Sequence, residues 1–342
     1  MTSVLEIAAD PLWFPHRWHA SEGAVEFIRL TPEARSAATF LDDQNLGPLP
    51  RCKAPLRDLA AVLAPAAAPA HFIFHSAFCC STLLARALDV PARIVALREP
   101  IVLNDLAAQA QRSPLPPGVL DAIVSLLTRA ATAGEAVVIK PTNEANALME
   151  PLLSVRPGAR SLLLSSGLED FLYSIVKKGM WGRLWARRVH EQMRPRKRRD
   201  PGLSEPDLLR QTDLQIAAMV WLMHRGEFID LAGRFGNRVA SLDSADLLAD
   251  KAAALRRVMA FFGLEAAGEE SGAIDRSNVF SAHSKEQGRA YDATARESEQ
   301  ATLQHAHGEE IAMVVHWAKA MADYLRIDDT LPRVCFTASR AA

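Results

Sequence analysis

Five short, mostly apolar runs, each followed by a polar turn and a stretch of helical periodicity, constrain this 342-residue chain more than any other feature. They are His71–His75, Ile94–Leu97, Ala136–Ile139, Ser161–Leu164 and Arg238–Leu242. Runs this short, bounded by turns, suit strands buried on both faces, which is the situation of a parallel sheet. Helical patterns cover Ser81–Leu88, Pro117–Ala133, Asn143–Leu153, Leu168–Lys178, Pro206–Ala232, Ala245–Phe262 and Glu297–Tyr324. The alternation predicts right-handed βαβ units in an α/β domain, with ligands at the carboxyl ends of the strands.

Residues 1–70 read as an α/β leader and linker: Val25–Leu30 suits a strand, Ala34–Leu41 a helical turn, and Leu63–Ala70 is rich in Pro and Ala. The main domain is expected over 71–330, with a basic insertion at about 177–205, and a tail over 331–342. With 49% hydrophobic residues the chain can bury a sizeable core, which excludes wholesale disorder. Its 39 basic and 40 acidic side chains leave a net charge of −1, unlike a dedicated nucleic-acid binder. No uncharged apolar run reaches the roughly 18 residues of a membrane span, and the first residues lack a basic segment followed by an apolar core. A cytoplasmic location is therefore expected. Of four cysteines, Cys79 and Cys80 are adjacent and Cys52 and Cys335 lie far apart, without metal-ligand spacing, so reduced thiols and no metal are expected.

The residues that follow each strand carry the candidate chemistry. After His71–His75 a loop of small residues leads to Ser81-Thr82, whose hydroxyls suit a helix cap. A helix start there is a phosphate or sulfate site, or simply a capped βα turn; the glycines and lysine of a Walker loop are absent. Cys79 and Cys80 sit where a helix terminus lowers a thiol pKa, although small size alone accounts for them. Arg98 and Glu99 suit an anion clamp and a general base, or a local ion pair. Lys140 follows the third run, placed to reach a phosphate or to end the strand in solvent. Ser165-Ser166-Gly167 ends the fourth, and Ser174 shares a helix face with Asp170. The polar segment Val279–Arg296 presents His283, Lys285 and Arg289. In the basic run Lys177–Arg199, Trp181 and Trp185 fall on one helix face, a docking surface for an anionic or lipid-like acceptor or a solvated insertion. His224 and the His305–His307 pair lack a complete metal spacing and read as packing or surface histidines.

In this order the segments from Phe72 to Arg296 resemble the sulfotransferase family of P-loop proteins, including its divergent bacterial members. The family's loop, a basic residue followed by Ser-Gly-Thr-Thr-x-Leu, binds the 5′-phosphosulfate of 3′-phosphoadenosine 5′-phosphosulfate (PAPS). Its Thr-Thr-x-Leu falls on Ser81-Thr82-Leu83-Leu84, its Ser-Gly on Cys79-Cys80 and its basic residue on Phe78. The family's 3′-phosphate motif, an Arg with a Ser eight residues later, falls on Ser166 and Ser174. Asn237–Leu264 resembles the later strand, turn and helix, and Val279–Arg289 holds the place of the basic loop over the nucleotide.

The resemblance implies a three-layer P-loop NTPase-like fold with a central parallel sheet and helical insertions. It implies transfer of a sulfuryl group from PAPS to a hydroxyl or amine acceptor. Cys79, Cys80, Ser81, Thr82, Ser166, Ser174, Lys285 and Arg289 would face the nucleotide, Lys140 the departing oxygen, and Glu99 the acceptor proton with His75 as the alternative base. Two family cations are missing, at Phe78 and Ser166, and Lys140, Arg98, Lys285 and Arg289 are the replacements by position. A P-loop nucleotide kinase or hydrolase, or a degenerate nucleotide-binding protein without catalysis, remain the other readings. Acceptor identity and oligomeric state are not legible.

Overall fold

The computed structural model describes residues 2–62, 68–132, 134–196, 199, 201–264 and 293–338, without side chains for 293–301. Its N-terminal part is an antiparallel sheet of β1 (Trp13–His19), β2 (Ala24–Arg29) and β3 (Arg51–Pro55). The five anticipated runs form one parallel sheet: β4 (Ala70–His75), β5 (Ile94–Arg98), β6 (Ala136–Lys140), β7 (Ser161–Ser165) and β8 (Val239–Asp243). Every expected strand is present within one residue at either end. The order β5-β6-β4-β7-β8 sends the chain to opposite sides of β4, so a crevice opens at the carboxyl end of that strand.

Alternation along β4 explains the layers. Phe72 and Phe74 point to one face, where they join Trp13, Phe27 and helices α2 (Val102–Arg112) and α3 (Val119–Thr128) in one continuous core. Ile73 points to the other face and meets Leu84 of α1 (Ser81–Ala87) and Val258 of α7 (Lys251–Phe262). A third cluster unites α4 (Leu168–Lys177), α5 (Gly179–Met193), α6 (Asp213–Phe235) and α8 (Ala293–Leu325) around Phe171, Trp185 and Trp221. The protein is thus a three-layer α/β fold around a parallel sheet. No helix among the described residues is long and apolar enough to cross a membrane.

Several elements differ from expectation. β1 and β3 had no signal: WFPHRWH carries Pro15 at a bulge, and β3 is half exposed, so neither alternates cleanly. The pattern over Ala245–Phe262 is two helices, because the Asp250 carboxylate caps the second through Ala253 N–H at 2.9 Å. The pattern over Pro206–Ala232 divides at Thr212, which forms a capping box with Gln215 at the start of α6. The basic run is mostly a packed helix, α5, with Trp185 7% exposed in the core and Trp181 58% exposed, so the two indoles do not form one surface. At the far end Ser241 of β8 pairs with the chain at 333–335, through its N–H to Arg333 O and its carbonyl from Cys335 N–H.

Candidate active site

Five residues, Ser76–Cys80, link β4 to α1, and three of them hold left-handed backbones without being glycine: Ala77 (φ 69°), Phe78 (φ 50°) and Cys80 (φ 61°). Each costs about 1–2 kcal/mol, so the surroundings impose the shape, and strain of this kind collects at functional sites. His75 imposes part of it. Its Nδ1 accepts from Ala77 N–H at 3.1 Å and its Nε2 donates to the Pro141 carbonyl at 3.1 Å, which requires the neutral ring. Asn146 Nδ2 donates to the His75 carbonyl at 3.0 Å and reaches His224 Nδ1 at 3.3 Å. His75 is therefore corrected from an alternative base to a loop-shaping residue, since both nitrogens are engaged and the side chain is buried.

The cap of α1 is Cys80, not Ser81 or Thr82, and it supplies no side-chain hydrogen bond. The first-turn N–H groups have no intrahelical acceptor, and successive N–H groups at such a turn make an anion-binding concavity. Cys79 is fully buried, and burial pushes its thiol up to about 12, although Ser81 donates to the sulfur from both backbone and hydroxyl. The lowered pKa expected at a helix start does not apply to this cysteine.

At the ends of β5 and β6, Lys140 is wholly buried and its ammonium donates to the Glu99 carboxylate. Glu99 itself has a left-handed backbone (φ 55°) and 18% side-chain exposure. The Phe40 ring lies 5.6 Å from Lys140 Nζ. Lys140 is thus neither a solvated strand end nor a cation open to the cleft. Arg98 is corrected from a candidate anion clamp: its guanidinium donates to the carbonyls of Arg35 (2.9 Å), Ser36 (2.7 Å) and Ala38 (2.8 Å) and to Asp89 Oδ2 (3.1 Å). It staples the N-terminal segment to the sheet.

A cleft opens beside the loop, walled by Phe78, Cys80, Ser166, Ser174, Lys177 and Ser244. Ser166 is 1% exposed, and its Oγ has no hydrogen-bond partner among the described residues. Its carbonyl accepts from Trp221 Nε1 at 2.9 Å. Ser174 Oγ donates to the Asp170 carbonyl at 2.9 Å. Phe78, where the resemblance places a cation, packs edge-on against Trp185 at 4.9 Å and Phe171 at 5.8 Å. Lys177, one turn beyond Ser174, brings positive charge to the cleft; the sequence reading counted it only in the basic run. Cys80, Ser166 and Ser174 thus share one cleft, whereas Ser81 and Thr82, which are buried, and His75, Cys79, Lys140 and Glu99 do not line it. Lys285 and Arg289 lie outside the described residues.

No protein-family model matches the sequence, and no characterised protein aligns with it significantly. Among solved structures the chain is similar to a sulfotransferase domain from the curacin biosynthetic pathway, at 14% identity over 63% of this chain and 81% of that one, with a TM-score of 0.42. It is also similar to a sulfotransferase from Alicyclobacillus acidocaldarius, at 15% identity over 77% of this chain and 97% of that one, with a TM-score of 0.40. Both are sulfotransferases.

The cleft also contains residues that sequence reasoning missed. Ser244 follows β8 and meets the cleft only because β8 pairs with β7, Asp243 opposite Ser165. Asp243, beside Ser244 but not itself lining the cleft, is half-buried, and burial raises its carboxyl above the ordinary range. Its position after a strand was the available signal, the same that singled out Glu99 and Lys140.

Proposed function

We propose that this protein is a sulfotransferase that moves a sulfuryl group from PAPS to a hydroxyl or amine acceptor. The observation that carries the reading is the glycine-free loop Ser76–Cys80, strained at three residues and leading into an uncapped helix at the carboxyl end of the central strand. Sulfuryl transfer, like phosphoryl transfer, depends on positioning and on stabilising charge with preorganised donors. The residues present fit such a nucleotide. N–H groups at the start of α1 suit its sulfate end, and the unpartnered Ser166 Oγ with Ser174 and Lys177 suits a phosphate. In this reading Glu99 takes the acceptor proton and Lys140 positions its carboxylate, acting through Glu99 and not on the donor.

Calorimetric titration tests it. 3′-Phosphoadenosine 5′-phosphate should bind more tightly than 5′-AMP, and Ser174→Ala should weaken only the former, by roughly 1.5–3 kcal/mol if the hydroxyl bonds a charged phosphate. Equal affinity for the two nucleotides would remove the sulfotransferase reading. Tight binding of ATP with Mg²⁺ alone would move the assignment to a kinase or hydrolase.

A further inference from the structure

A second cavity adjoins the β7–α4 loop, walled by Gly167, Leu168, Trp221, Arg225, Lys319 and Asp329 among others. Arg225 is 6% exposed, yet its Nε has no hydrogen-bond partner among the described residues. The guanidinium lies 4.3 Å from the centre of the Trp221 ring, and that ring is held in turn by its hydrogen bond to Ser166. A guanidinium stacked on an indole keeps its N–H fork free for a planar or tetrahedral oxoanion. Burial pushes Arg225 down to about 10, with Asp243 and Asp329 favouring its charge, so it is a cation at neutral pH.

A second observation points the same way. Helix α4, ten residues long, follows the N-cap residue Gly167 without a side-chain cap, and Gly167 and Leu168 form part of the cavity wall. The N–H groups of its first turn have no intrahelical acceptor. Buried charge without an acceptor is costly, and a bound anion would offset that cost. Lys319 adds a cation at the exposed rim; the acids nearby are Asp329 in the wall, Glu169 and Asp170 in the first turn of α4, and Asp243, which acts on Arg225.

We propose that Arg225 and the amino end of α4 form an oxoanion pocket, separate from the cleft, for phosphate, sulfate or the phosphoryl or sulfuryl end of a larger molecule. The pocket does not depend on the sulfotransferase reading: no residue that lines it lines the cleft, and the two meet only at the loop at 166–168 and through Asp243, which lies beside Ser244 of the cleft and favours the charge of Arg225.

The test is titration of the full chain with inorganic phosphate, read by calorimetry and by melting temperature, with sulfate and acetate as comparison anions at equal ionic strength. Constant ionic strength separates site binding from the general stabilisation that excluded anions provide. The wild type and Ser174→Ala should bind phosphate or sulfate alike, with acetate weaker. Arg225→Met should lose at least about tenfold in affinity, the scale of a hydrogen bond to a charged group. Without anion, Arg225→Met should melt no lower than the wild type, because an apolar side chain replaces a buried cation whose Nε–H has no acceptor among the described residues. Arg225→Lys, which lacks the fork, should bind more weakly than the wild type. The proposal is overturned if the wild type shows no phosphate or sulfate binding, whatever the variants do. Binding in Arg225→Met with the wild type's affinity and stoichiometry, or binding abolished by Ser174→Ala, overturns it as well. Weaker binding of the 3′-phosphorylated nucleotide in Ser174→Ala with phosphate binding intact would support both readings independently.

Discussion

Lys140 and Glu99 bind each other twice, ammonium to carboxylate and Glu99 N–H to the Lys140 carbonyl at 2.6 Å, across the β5–β6 pair. Glu99→Gln leaves the wholly buried Lys140 ammonium without its counter-charge. The expected loss is about 3–5 kcal/mol in urea unfolding. Lys140→Met leaves a carboxylate with some access to water and should cost less, and the double variant should recover most of the loss. A base role for Glu99 requires kcat to fall roughly 10²–10⁴-fold well below the melting temperature, with nucleotide affinity unchanged. Full turnover in Glu99→Gln would reduce the pair to a structural clamp.

The loop makes the opposite prediction for stability. Ala77→Gly relieves a left-handed alanine but adds chain entropy to the unfolded state, so the net change should lie between zero and about +1 kcal/mol. Ala77→Val places a β-branched side chain at φ 69° and should cost about 2 kcal/mol. Equal stability of the two variants would mean that the loop is not held left-handed in solution.

Arg98 holds three carbonyls and one carboxylate that no smaller group can satisfy together. Arg98→Ala should destabilise by about 3–5 kcal/mol, and Arg98→Lys should rescue little, because an ammonium cannot span the same acceptors. Limited proteolysis should then cut first within Thr31–Leu41. An unchanged digestion pattern would refute the staple.

Acid sensitivity should come partly from buried histidines. Burial lowers His224 to about 3 and His71 to about 4, with Arg196 and Arg160 respectively acting in the same direction. Both rings stay neutral in the folded chain and gain a proton on unfolding once the pH is below about 6.5. Their contribution is therefore full above pH 6.5 and is lost as the pH falls from there towards 3–4. Between pH 7 and 5 each ring accounts for about 2 kcal/mol by this linkage. His224→Gln, which keeps an acceptor for Asn146, should shrink the wild-type difference between those pH values by about that amount. A difference of the same size in variant and wild type would exclude His224 as its source.

Local pattern was enough to locate the parallel strands, because burial on both faces writes itself into four or five consecutive residues such as Ser161-Leu162-Leu163-Leu164-Ser165. The same rule put Glu99, Lys140 and Ser166 at the carboxyl edge of the sheet, and the spacing of α4 put Ser174 in one cleft with Ser166. What each of those groups touches was not legible. Lys140 meets Glu99 because β5 pairs with β6, and Arg98 binds carbonyls about sixty residues upstream. Left-handed backbones are usually announced by glycine, and Ala77, Phe78 and Cys80 announce nothing. Arg225 lies in the middle of a long helix, and only the packing of α6 against the β7–α4 loop makes it a buried cation facing a cavity. Sequence alone determined which residues end the strands, since that depends on neighbours along the chain; which charges are paired, buried or left facing a cavity was decided by contacts between distant segments.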